Sequence, residues 1–149
     1  MSHVRQQIRD AAAAALTGLT TTGANVYAPR QWGQQRSKVP ALEVEIRSEE
    51  VAAQTFGSSY EQQRKADLVV SAWAVSNTSA AGSDVVDLVD AEVSVALFAD
   101  AALDLLLDDL RWQSLEKEDD GAGADLRVKA TITFAAFYTV DQRDPTTTT

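Results

Sequence analysis

Three carboxylates close to two glycines are the residues of this chain whose types and spacing could do chemistry. Asp119, Asp120 and Asp125 surround Gly121 and Gly123, and carboxylate oxygens are ligands that calcium prefers. The spacing of a calcium-binding loop, with its terminal Glu, is missing. A plain hairpin turn is therefore the favoured interpretation of this segment.

The remaining side chains offer little else for catalysis or for metal binding. His3 is the single histidine, and because no second histidine accompanies it, we interpret it as an exposed spectator near the terminus rather than a ligand. The chain has no cysteine, which excludes disulfides, thiolate catalysis and sulfur-ligated metals. The sequence therefore predicts no catalytic residue, no metal ion and no cofactor.

Charge is distributed unevenly along the 149 residues. The net charge is -9, and residues 1–65 hold 8 basic and 6 acidic side chains, whereas residues 66–149 hold 5 basic and 16 acidic ones. Binding nucleic acid through its phosphates requires Lys and Arg, so this composition disfavours it. Nine acids and no base lie between Lys65 and Arg111, which indicates either a solvated helix face or a face that docks against a basic patch.

Segment 29–40 is the natural counterpart of that acidic stretch. It contains three bases, an aromatic residue and no acid. Trp32 could stack on a base, cover an edge of the core or anchor a subunit contact, and its Arg neighbours favour the contact. Together with an aromatic residue in an uncharged turn, these features predict a subunit or partner interface that includes Arg30, Trp32, Arg36, Lys38, Phe56, Asp84, Asp87 and Asp90.

Hydrophobic periodicity predicts an α+β fold whose elements follow the order α-β-β-β-α-β-β. Apolar residues at helical spacing predict a first helix capped by Ser2 and a second capped by Ser83. Strict alternation predicts strands, of which the longest, 126–140, is expected to come last in the fold. Between the second and third strands, the uncharged segment 51–59 predicts the tip of a long hairpin that carries Phe56.

These elements are expected to form one domain, residues 1–143, followed by a flexible tail, residues 144–149. The predicted architecture is a mostly antiparallel sheet of four to five strands with two helices packed on one face. Residues 61–65 look too polar to pack on either face. No apolar run approaches the roughly 20 residues that span a bilayer, so no membrane association is expected. The predicted core includes Leu68, Val70, Val89, Val93, Ile132 and Phe134.

The order of these elements and several runs of residues resemble those of the tail terminator and minor tail proteins of long-tailed bacteriophages. These proteins are also called tail completion proteins. The likeness covers nearly the whole chain. It depends on the combination of these runs and on their order, since no single run contains a residue that chemistry requires. The runs are Val4-Arg5-Gln6-Gln7-Ile8-Arg9-Asp10-Ala11, Leu16-Thr17-Gly18-Leu19-Thr20-Thr21, Asn25-Val26-Tyr27, Val39-Pro40-Ala41-Leu42-Glu43-Val44 and the aromatic last strand with its Asp144-Pro145-Thr tail.

The resemblance implies a structural virion protein rather than an enzyme. It implies a hexameric ring at the head-proximal end of the tail tube that stops tube polymerisation and offers the surface for head joining. The implied partners are further copies of the chain, the tail tube protein and a head-tail connector or head-completion protein, with DNA only passing through the lumen. Assembly in the host cytoplasm and a final place in the virion follow from the same resemblance.

Two alternatives to a tail terminator stay open. One is a head-tail connector or head-completion component, which would share the ring-forming character and differ in the neighbour that it touches. The other, from a different class, is a small ligand-binding or enzymatic domain of ferredoxin-like layout. That domain would need a concave pocket with convergent polar groups.

Overall fold

Three helices and a six-stranded sheet make up the part of the chain that the computed structural model describes, residues 2–27, 40–57, 59–76, 79–120 and 126–149. The elements are α1 (Val4–Leu16), β1 (Val26–Tyr27), β2 (Ala41–Gln54), β3 (Glu61–Ser76), α2 (Ser79–Ala99), α3 (Ala101–Leu106), β4 (Asp109–Asp120), β5 (Leu126–Asp141) and β6 (Asp144–Thr148). The strand order is β1-β2-β3-β5-β4, and β6 also pairs with β5. Only the β1–β2 pair is parallel within these ranges. The predicted α+β class is confirmed.

Helix α1 forms where it was predicted because its apolar residues recur every four positions along one face. Its buried residues are Val4, Ile8, Ala12 and Leu16. The capping residue differs from the prediction. His3, not Ser2, is the N-cap, and its Nδ1 accepts a hydrogen bond of 3.0 Å from the backbone N–H of Arg5. His3 therefore has a structural role that the interpretation as a spectator missed.

In the hairpin of β2 and β3 the strand β2 is longer than predicted, and the turn is correspondingly shorter. Strand β2 continues to Gln54, so the tip that was predicted at 51–59 begins only after that residue. Gly57 lies in the turn with a φ of +91°, a left-handed conformation that favours glycine. The prediction that 61–65 packs on neither face was wrong, because Gln62 is buried and the Arg64 side chain is only 17% exposed.

Bulges in two strands decide which polar side chains face the core. In β2 the pairing shifts at Arg47, which turns Glu49 toward the helix-covered face opposite Ala66. In β4 a second shift, at Gln113, turns Lys117 toward the same face. An unbroken alternation would have placed both charged residues on the opposite face.

Helix α2 begins one turn earlier than the cap predicted at Ser83. Helix formation extends back to Ser79 because the intervening alanines are strong helix formers. The Ser83 hydroxyl instead accepts a hydrogen bond of 2.7 Å from Lys117 Nζ. The acidic stretch that follows is helical, as predicted, and Asp100 caps α3 by accepting a hydrogen bond of 2.9 Å from the Leu103 N–H.

One core lies between the sheet and the helices, as predicted. The alternating residues of β5 from Val128 to Val140 that were expected to face inward are buried. Strand β5 is not the last element: the residues expected to form a flexible tail contribute β6, and Gln7 Nε2 donates a hydrogen bond of 2.8 Å to the Thr146 carbonyl. No helix in the described ranges is long and apolar enough to cross a membrane. The predicted core residues all belong to this cluster: Leu68, Val70, Val89, Val93, Ile132 and Phe134.

Candidate functional site

The residues predicted to form an interface fall into three groups. Phe56 lies at the hairpin tip, where it is 87% exposed, the most exposed large apolar side chain of the described residues. Asp84, Asp87 and Asp90 all lie on α2. The basic group lies outside the described residues: Arg30, Trp32, Arg36 and Lys38.

Two of the three acids on α2 are held by the chain's own β4. Lys117 Nζ forms an ion pair with Asp87 Oδ1 at 2.6 Å, and Trp112 Nε1 donates a hydrogen bond of 3.2 Å to Asp90 Oδ1. Asp84, one turn from the start of the helix, is exposed. The acidic face of α2 is therefore partly neutralised within the molecule, and Asp84 is the acid of this group that remains open to a partner.

A fourth acid of α2 holds the loop that follows α1. Glu92 accepts a hydrogen bond of 2.9 Å from the Thr21 N–H and a second, short one from the Thr21 hydroxyl. The loop is closed by backbone bonds of 2.8 Å from the Gly18 N–H to the Gly23 carbonyl and from the Gly23 N–H to the Leu19 carbonyl. Between this loop and α2 lies a groove of about 400 Å³.

The outward side of α2 is apolar, which we call the α2 stripe. Val95 is 72% exposed, and Leu88 and Phe98 are each more than half exposed. These residues and Ala91 follow each other at intervals of three or four, so they share one side of the helix. A surface helix normally presents polar residues on the side opposite the core. The stripe is therefore an apolar surface that the monomer leaves uncovered. Its members are Leu88, Ala91, Val95 and Phe98.

A polar cluster at the end of the core was not predicted from the sequence. Glu49 is its centre, and we call it the Glu49 cluster: Arg5 Nη1 and Arg64 Nη1 lie 3.0 Å and 3.7 Å from Glu49 Oε2. The Tyr138 hydroxyl donates a short hydrogen bond to Glu49 Oε1. The carboxylate side chain is 9% exposed, so these donors compensate for its loss of water.

Local electrostatics follow from the Glu49 cluster. Burial, together with the bond to Glu49, raises the pKa of the Tyr138 hydroxyl above its ordinary value. Burial and the neighbouring Arg5 guanidinium lower the pKa of His3. Both shifts keep these groups neutral near pH 7, which suits structural hydrogen bonding. Only the bulge at Arg47 brings the cluster together, and no sequence signal marked it.

The acidic turn that could have bound calcium lies largely outside the described residues. Asp119 belongs to β4, whereas 121–125 are not described. Among the residues that are described, no group of three or more His, Cys, Asp or Glu side chains is arranged to hold a metal ion.

Comparisons with known proteins find similarity to solved structures, among them one virion particle. No protein-family model matches the sequence, and no curated protein matches it. A solved structure, "Virion of native gene transfer agent (GTA) particle", contains a chain that is 21% identical, with 91% of this chain and 91% of that chain covered and a TM-score of 0.42. A TM-score of this size does not establish a common fold.

Proposed function

We propose that this chain is a structural subunit of the virion of a long-tailed bacteriophage. In this proposal it closes into a hexameric ring on the head-proximal end of the tail tube, stops tube polymerisation and forms the surface that the head joins. The observation that carries the proposal is the α2 stripe. It supports assembly because contiguous exposed apolar surface on a soluble domain marks a contact with another protein, and it complements the resemblance to tail terminator proteins.

The polar groups beside the α2 stripe favour assembly further. Asp87, Asp90 and Glu92 already have partners within the chain, so covering the stripe would not strand their charges. An uncompensated buried charge costs about 3–5 kcal/mol. Lys117 compensates Asp87, and N–H donors from Trp112 and Thr21 bond to Asp90 and Glu92, so covering the stripe leaves none of these three acids without a partner.

The charge of the surface suits a tube through which DNA passes. Eight of the Lys and Arg residues in the described part of the chain form ion pairs within the chain. Asp84, Asp104, Glu116 and Glu118 are exposed acids on α2, α3 and β4. Because phosphates are held by free Lys and Arg, such a surface supports passage of DNA without specific binding. The proposed protein partners are the tail tube protein and a head-tail connector or head-completion protein.

Electron microscopy of tail tube subunits polymerised with and without this protein tests the proposal. With the protein, we expect tubes of limited length that carry a ring at one end; without it, tubes should elongate further. Tubes of unchanged length and uncapped ends would refute the terminator role. A ring that binds completed heads but leaves tube length unchanged would instead support the head-tail connector alternative.

A further inference from the structure

We propose that the α2 stripe of one copy binds the hairpin tip of the next copy in the ring, together with the end of β2 that leads into it (residues 51–57, 59 and 60). This inference rests on the proposed function, because it identifies which surfaces of the subunit meet. It assigns the stripe a single occupant, a second copy of this chain.

The receiving surface is extended and rigid. From Leu88 to Phe98 the α2 stripe spans eleven residues, about 15 Å at the rise of an α-helix. The groove of about 400 Å³ beside it is lined by Leu19 and Thr20 on one side and by Val95 on the other. Backbone bonds within the loop and the bonds from Thr21 to Glu92 fix the far wall of the groove. A preformed surface loses less conformational freedom when it binds.

The hairpin tip has the chemistry to fill such a groove. Residues 51–60 contain no charged side chain, and Val51, Phe56 and Tyr60 are exposed large apolar residues. Phe56 is 87% exposed, so it makes little contact with its own chain. Exposed aromatic side chains are frequent anchors of protein interfaces, and a hairpin end that stands outside the core can reach a neighbouring molecule.

Charge distinguishes the tip from the other exposed apolar residues. Leu105 is next to the exposed Asp104, so it would bring an acid toward a helix that already carries Asp84, and like charges brought together disfavour a contact. Trp112 is tied to Asp90 of its own chain. Residues 51–60 carry no acid, and the Arg143 guanidinium over the Tyr60 ring is opposite in sign to Asp84, so charge favours the tip over Leu105 and Trp112 as the occupant of the stripe.

Such a contact is of the kind that a ring requires. The tip and the α2 stripe are different patches of one chain, so their contact is heterologous, and a row of copies keeps a free tip at one end and a free stripe at the other until the assembly closes. A contact of this kind adds copies in one direction only. It therefore provides the head-to-tail arrangement that the proposed ring requires.

Cysteine cross-linking tests the contact, because the chain has no cysteine of its own. We would combine Phe56→Cys and Val95→Cys in one chain and oxidise the purified protein. The expected result is a ladder of covalent multimers on a non-reducing gel, since each contact joins position 56 of one copy to position 95 of the next. Each single variant alone should lose the ladder, and a mixture of the two singles should stop at a mixed dimer.

A matched control uses Val75, an exposed apolar residue on β3 away from the tip. The pair Phe56→Cys with Val75→Cys should give no ladder. An equal ladder from this control, an absent ladder from the 56–95 pair, or a cross-link within a single chain would overturn the contact. Rings formed by the wild-type protein, together with no 56–95 cross-link in the double variant, would refute only this inference, whereas cross-linked chains that never close or cap tubes would refute the proposed function.

Discussion

Removing the Tyr138 hydroxyl should destabilise the fold more than a surface Tyr→Phe change, because the hydroxyl donates to a buried carboxylate. Tyr138 is fully buried and bonds to Glu49 Oε1. A hydrogen bond to a charged group contributes about 1.5–3 kcal/mol. We therefore expect Tyr138→Phe to lower the free energy of unfolding by about 2 kcal/mol.

Neutralising the carboxylate should cost more than removing its hydroxyl donor. Glu49→Gln leaves Arg64, which is 17% exposed, without its counter-ion, and breaking a buried ion pair costs about 3–5 kcal/mol. The lower end, about 3 kcal/mol, is expected because Arg5 is 44% exposed and its attraction to Glu49 is screened by water. The double variant should cost less than the sum, with a coupling of about 1–2 kcal/mol.

Urea denaturation measures these changes through the midpoint, provided that the slope m stays constant. Tyr60→Phe is the matched control: its ring is exposed at the hairpin tip under the Arg143 guanidinium, so the free energy of unfolding should change by less than about 0.5 kcal/mol. Equal midpoints for Tyr138→Phe and the parent, with additive effects in the cycle, would refute the assigned bond between Tyr138 and Glu49.

Three further predictions concern the core, the pH response and the assembly. Phe134 is fully buried, so Phe134→Ala should lower the free energy of unfolding by about 3–5 kcal/mol, and a parental melting curve would show that the register of β5 is wrong. The side-chain bond from Arg143 holds the pKa of Asp141 at about 2, against 3.8 ordinarily. The stabilisation of the fold by this carboxylate is therefore present above pH 3.8 and lost as pH falls toward 2. Arg143→Gln should move the pKa of Asp141 upward in carboxyl-carbon NMR titrations. Reversing the three bases of segment 29–40 to Glu should weaken the ring on size-exclusion chromatography while sparing the monomer's melting temperature, because these bases are expected to add a second contact beside the tip and the α2 stripe. The parent ring should itself weaken with salt, because exposed charges are screened beyond about 10 Å at 0.1 M. A triple variant that elutes as the parent ring would show that segment 29–40 does not contribute to the ring.

Periodicity made the helices and the longest strand predictable. The buried residues of α1 recur every fourth position, and the inward residues of β5 recur every second position through Val140. Each pattern keeps the same period along the whole element, so neighbouring residues are enough to predict the element and its buried face. For the same reason the core residues could be named before the structure was known.

The polar contacts could not be predicted, because bulges break the period. One extra residue at Arg47 reverses the faces of β2 as far as a second register shift at Ala52, and Glu49 becomes an inward residue. The polarity of 61–65 therefore does not indicate an exposed segment, since Arg64 is the partner of the inward-facing Glu49. Strand β6 was missed for a different reason: its threonines carry no apolar alternation, and pairing with β5 decides its conformation.

The second bulge has a consequence for the proposed interface. By turning Lys117 toward the helices, it creates an ion pair with Asp87. Trp112 before the bulge and Thr21 in the loop after α1 hold Asp90 and Glu92 in turn. Three acids of α2 are thus tied to two different parts of the chain, which fixes the rotation of the helix about its own axis. The same contacts that keep these acids inside the subunit therefore keep the α2 stripe pointing outward, so the surface proposed for ring assembly is set by the fold of the monomer before any partner binds.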